Sequence, residues 1–157
     1  MNEMAENSAP ATADRTTDAG AAPKKLEGGC ECGGVRWEVA EATPMGPVVA
    51  CHCGQCNRSS GHFLAAVNIL ESGISWPRTE TLVWYQSSDF AERGFCGTCG
   101  SQIAWRMSDP AVRNSASMMV GSFDDKDVLT LDRHIYVAHK ASYYEITDDL
   151  PQYPDSD

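Results

Sequence analysis

The chain has 157 residues, 42% of them hydrophobic, which suits a single domain with its own core. Its net charge is −10, with nine acids against three bases over 124–157 and nine against six over 26–123. There is no basic stripe, which argues against a nucleic-acid partner, and no run nears the ~20 apolar residues of a membrane span. No positively charged segment followed by an apolar run opens the sequence, so a secretory signal is not expected and the expected compartment is the reducing cytoplasm. There, clustered thiols serve as metal ligands or redox groups more often than as disulfides. The odd count of seven cysteines points the same way.

Residues 1–25 are rich in Ala, Asn, Asp and Thr and almost lack large apolar side chains, so a disordered tail is expected there. The folded domain is expected over 26–153, with a short C-terminal tail at 154–157. Gly28 to Gly34 reads as a turn, followed by a half-buried strand in which Val35, Trp37 and Val39 alternate with Arg36 and Glu38. Thr43 to Pro47 reads as a loop, and Val48 to Ala50 as a short strand. His62 to Leu70 is an apolar run without helix caps. Thr81 to Gln86 and Phe90 to Phe95 form a hairpin through Ser87, Ser88 and Asp89. Gln102 to Met107 alternates, with Ile103 and Trp105 on one face. Ser115 to Val120 and His134 to His139 complete the strands. Helical turns are expected only within 109–114 and 124–131. The fold class is therefore mainly β, largely antiparallel.

All seven cysteines fall into clusters: Cys30 and Cys32, then Cys51, Cys53 and Cys56, then Cys96 and Cys99. Cys96-Gly97-Thr98-Cys99-Gly100 has the form of a zinc knuckle, whose trailing glycine lets backbone N–H groups face the sulfurs. Pairing it with Cys30 and Cys32 makes a four-thiolate structural zinc site. That site would offset the entropy of closing a long loop. A disulfide and buried free thiols are the alternatives, and four thiolates would also suit iron.

Cys51, Cys53 and Cys56 lie in one loop, and His52 points away from them if the segment is extended. Three protein ligands with a vacant position are what a catalytic zinc needs. A structural zinc completed by His62 and a metal-free redox trio using Cys53 and Cys56 stay open. Arg58 follows directly and can meet an anionic group. His62 is a wall residue, a proton carrier or a fourth ligand, or simply a packed side chain. His134 and His139 read as structural.

These motifs carry a family resemblance: Gly28 to Glu38, Cys51 to Cys56 with Gly61, Arg93 to Ser101, Gly121 to Asp125, His134 to Tyr136, and Leu150-Pro151. The chain resembles the glutathione-dependent formaldehyde-activating enzymes, a family that also contains centromere protein V. The resemblance implies a β-tent-type fold of antiparallel sheets braced by a structural zinc at Cys30, Cys32, Cys96 and Cys99. It implies a second, exposed zinc at Cys51, Cys53 and Cys56. It also implies carbon–sulfur lyase chemistry that joins formaldehyde to the thiol of glutathione, the co-substrate. A thiol with two carboxylates needs cations, and Arg58 and Arg93 are the candidates. Tyr143 stands where many members carry Trp, which would alter a pocket wall. The other readings are a zinc-stabilised binding module, weakened by the lack of a long basic extension, and a thiol redox sensor.

Overall fold

The computed structural model describes residues 26–156, so the tail expected at residues 1–25 lies outside it. Two sheets form the frame. Strands β1 (Glu27–Gly29), β2 (Arg36–Val39) and β5 (Ile74–Arg78) make a three-stranded antiparallel sheet in the order β1-β2-β5. The larger sheet has seven strands: β3 (Met45–Cys51), β4 (Leu64–Leu70), β6 (Leu82–Ser88), β7 (Ala91–Cys96), β8 (Gln102–Met107), β9 (Ser115–Met119) and β10 (Leu131–Ile135). Their order is β10-β3-β4-β9-β8-β7-β6, and only β10 runs parallel to its neighbour. The mainly β expectation holds. No helix among the described residues is long and apolar enough to cross a membrane.

The period-2 pattern of Val35, Trp37 and Val39 buries all three side chains. They join Val48, Val67, Ile69, Ile103, Ala104, Ala116 and Met118 of the larger sheet, so one core is shared by both sheets. Trp37 packs edge-on against Phe123, with ring centroids 4.6 Å apart. Gly28 bridges to Phe123, and a Cβ there would stand 2.0 Å from the Ser122 carbonyl oxygen.

Several sequence expectations are corrected. Met45 to Pro47 belongs to β3 rather than a loop. The pairing with β4 shifts between Met45 and Val48, where Pro47 has no N–H to offer. β5 escapes the sequence pattern because Pro77 interrupts it, and the strand sits at a sheet edge, where proline is tolerated. The strand expected from His134 to His139 instead spans Leu131–Ile135. Tyr136 takes φ 57° and ends it, and Val137–His139 is a 3-10 turn. Ile103 and Trp105 do not share a face. A bulge between the Gly94–Ala104 and Phe95–Gln102 pairs buries Ile103 and Ala104 together and turns Trp105 to the other side. Residues 109–114 and 124–131 do hold turns, as expected: the Arg113 N–H returns to the Asp109 carbonyl and the Leu129 N–H to that of Lys126.

The described α-helix, α1 (Gly54–Ser60), lies where none was expected. At seven residues it is too short to show an apolar period, and Gly and Ser are weak helix formers. Its ends are nonetheless defined. The sulfur of Cys53 takes the N-cap role usually filled by a Ser or Asp oxygen. Gly61 takes φ 79° and returns its N–H to the Asn57 carbonyl. The backbone stays tied to the sheet as far as Asp155, whose carbonyl accepts from the Tyr136 N–H.

Candidate functional site

Two cysteine groups assemble, and in each the sulfurs all lie within 4.8 Å of one another. The first joins Cys30 and Cys32, on the turn after β1, to Cys96, the last residue of β7, and Cys99, on the turn that follows. Sulfur–sulfur distances are 3.5 Å for Cys30–Cys32 and 3.6 Å for Cys32–Cys96. Each turn aims a backbone N–H at a sulfur: Val35 donates to Cys30 at 3.2 Å, and Cys99 to Cys96 at 3.5 Å. The two turns are tied directly by the Glu31 N–H to the Ser101 hydroxyl at 3.1 Å. The Ser101 hydroxyl and nearby N–H groups lower the Cys99 thiol to about 5. Cys32 keeps the N–H of Gly34, yet the thiols of Cys30 and Cys96 push it up to about 12. Four like-charged thiolates cannot crowd together unaided. An all-sulfur donor set with N–H groups behind it fits a soft cation such as zinc.

The second group is Cys51, Cys53 and Cys56. Cys51 ends β3, Cys53 caps α1, and Cys56 is buried in its first turn, where its N–H reaches the Cys53 sulfur at 3.4 Å. One cap bond thus holds two of the three sulfurs in place. Hydrogen bonds from Cys51 and Cys56 push the Cys53 thiol far below its ordinary value, with the N–H groups of Cys56 and Gln55 assisting. Cys51 is pushed far up, by the hydrogen bonds to Cys53 and Cys56 and by burial. This group also fits a soft cation, but with three protein donors instead of four.

Neither His52 nor His62 joins that group. His52 is buried and faces inward, as the extended loop predicted. The Asp148 carboxylate accepts from His134 Nε2 at 3.1 Å. In the tautomers that satisfy every atom, His134 Nδ1 accepts from His52 Nε2 at 2.9 Å, and His52 Nδ1 accepts from the Tyr144 hydroxyl at 2.5 Å. Burial, with His134 adding to it, lowers the His52 imidazole to about 4. His134 is thus held between His52 and Asp148. His62 hydrogen-bonds the Tyr143 hydroxyl at 3.0 Å, and that hydroxyl donates to the Gly61 carbonyl at 2.8 Å. Tyr143 therefore latches the end of α1 and lines neither of the two cavities beside the helix. His139 is exposed and faces Asp155 at 3.6 Å.

The arginines behave differently from one another. Arg36, Arg106 and Arg113 pair with carboxylates. Arg58 and Arg93 have no ion-pair partner among the described residues. Arg93, only three residues before Cys96, turns instead to the three-thiol group, with Nη2 3.8 Å from the Cys56 sulfur and 3.4 Å from Gln55 Oε1. Arg58, on α1, joins it around a cavity of about 440 Å³ that also takes in Gln55, Tyr85, Phe95 and Gln102 and has no acid among its described lining residues. A second cavity of about 810 Å³ lies between the other side of α1 and the four-thiol group, lined by Ser60, Phe63, Gln102, Met119 and Lys126. Sequence reasoning missed Gln102 and the aromatic walls. Nothing in the local pattern reveals that the bulge in β8 turns Gln102 toward them.

Residues 25–139 match the family described as glutathione-dependent formaldehyde-activating enzyme. A Halomonas elongata protein carrying the provisional name of a glutathione-dependent formaldehyde-activating enzyme is 26% identical over 129 residues, covering 77% of this chain and 80% of that protein. The crystal structure of a Rhodobacter sphaeroides protein shares the fold with a TM-score of 0.53 at 24% identity, over 67% of this chain and 96% of that one.

Proposed function

Because the chain belongs to the glutathione-dependent formaldehyde-activating enzyme family, we propose that it is a zinc-dependent carbon–sulfur lyase of the cytoplasm. Its substrate would be the adduct of glutathione, or a similar anionic thiol, with formaldehyde or a related small aldehyde. The observation that carries this reading is the three-thiol group, one donor short of a closed tetrahedron, beside a cavity where Arg58 and Arg93 meet no acid among the described residues.

In this reading Cys30, Cys32, Cys96 and Cys99 hold a structural zinc, and Cys51, Cys53 and Cys56 hold the catalytic one. A zinc bound by three protein thiolates would supply Lewis acidity and stabilise a substrate thiolate at its remaining position. The rest falls to the chain's own groups. Arg58 and Arg93 attract and orient a carboxylate of the thiol, on a protein whose net charge of −10 would otherwise repel it. Arg93 spans from the cavity to Cys56, so a carboxylate docked on it keeps the reacting sulfur near the three thiols. The buried His52 ring and its Tyr144 and His134 partners hold the loop from behind. The reaction itself balances simply. A carbon–sulfur bond forms to the aldehyde carbon, the carbonyl π pair moves to oxygen, and oxygen takes the proton that left sulfur.

Metal analysis and NMR exchange spectroscopy test the proposal together. Two zinc ions per chain and faster exchange between formaldehyde, glutathione and their adduct are expected. A two-zinc protein with no effect on that exchange would overturn the lyase reading.

A further inference from the structure

Gln102 is the first residue of β8 and pairs with Phe95, while Trp105 pairs with Arg93. In a regular strand, residues three apart face opposite ways. The bulge at Ile103 and Ala104 removes that alternation, so Gln102 and Trp105 both lie on the sheet face that carries Arg93 and Phe95. Trp105 packs against the buried cluster of Cys56, Leu64 and Met119. Gln102 lines both cavities and so stands where they adjoin, alongside α1. Its Oε1 is buried and has no hydrogen-bond partner among the described residues. That oxygen is sealed from both cavities, so the end of the amide left to meet a ligand is Nε2. An N–H donor at that point is complementary to the carbonyl of a peptide group.

From this we infer that Gln102 is a specificity residue, which hydrogen-bonds a peptide amide of the co-substrate and makes the site select a peptidic thiol over a simple mercaptan. The inference rests on the reading of the three-thiol group as a thiol site. Arg58 and Arg93 hold a carboxylate at one end, the sulfur lies toward Cys56, and the amide between them falls to Gln102. A thiol with a carboxylate but no amide would use the arginines and leave Gln102 idle.

The test is calorimetric titration of the zinc-loaded protein, without aldehyde, using glutathione and 3-mercaptopropionate. Gln102→Leu keeps the side-chain volume and removes the amide. It is expected to weaken glutathione about tenfold, the equivalent of about 1.4 kcal/mol, and to leave 3-mercaptopropionate unchanged. An unchanged melting temperature would show that the strand is intact. Equal weakening of both thiols, no weakening of glutathione, or no binding of glutathione by the parent protein would overturn the inference. Its failure is separable from that of the lyase reading. Tight, Gln102-dependent glutathione binding without aldehyde exchange sinks only the lyase, whereas full exchange with an indifferent Gln102→Leu sinks only the specificity role.

Discussion

Arg93 shows how one side chain can belong to two neighbourhoods. In sequence it sits beside Cys96 of the four-thiol group, but alternation along β7 points it to the opposite face of the sheet, toward Cys56. Its position in the motif was therefore legible, and its target was not, because that depends on which face α1 covers. Removing its charge is expected to raise the KM for glutathione about tenfold, as for one lost charge-assisted hydrogen bond. Kinetics of Arg93→Ala, and of the Arg58→Ala, Arg93→Ala pair, check this. An unchanged KM in the double variant would remove both arginines from the site. The cysteine spacing, by contrast, was legible in full, because turns of two or three residues leave their sulfurs few alternatives. Cys53→Ala is expected to lose one zinc per chain and all exchange activity. Circular dichroism should show the sheets intact.

At the scale of elements, α1 and β10 hold the three-thiol loop from its two sides. The helix has only its caps to define it, which is why composition did not reveal it. Gly61 stands at φ 79° with open space where a Cβ would go, so Gly61→Ala meets no clash and carries only the left-handed backbone penalty, about 1 kcal/mol. Chelator competition should show the loss as faster release of the second zinc. On the other side, β10 brings His134 against His52. His134→Ala leaves the buried His52 Nε2 unpaired, a loss of about 2 kcal/mol that should lower the melting temperature by several degrees. An unchanged melting temperature would mean that solvent replaces His134 freely. The parallel β10–β3 pairing was not legible, since no local pattern says which distant strand a segment joins.

At the scale of the whole molecule, the two cysteine groups are unequal. One spans two distant turns and both sheets, the other a single loop. Stripping both metals is therefore expected to proceed in two stages. The first abolishes activity with little change in secondary structure, and the second unfolds the domain. Stoichiometry against circular dichroism during chelator titration checks the order. Acid adds an independent test. Arg36 hydrogen-bonds both oxygens of Asp124 and holds that carboxyl below its ordinary value. The folded pKa is thus below the unfolded value of about 4. The pair contributes stability above that pH and loses it as pH falls through the folded value. The difference in melting temperature between the parent and Arg36→Met should then be largest near neutral pH and shrink below pH 4.

The chain of contacts behind His52 also sets a schedule for synthesis. Its partners His134, Tyr144 and Asp148 lie between 82 and 96 positions downstream in the sequence. A ribosome releases the three thiols long before it releases the residues that hold them from behind. On a nascent chain, Cys51, Cys53 and Cys56 can already gather a metal ion, because they need only one another. The rigid loop and its buried histidines wait for the last strand. A truncated chain ending before residue 131 should therefore bind metal at the trio yet exchange it rapidly, and remain without the shaped site until β10 closes the sheet.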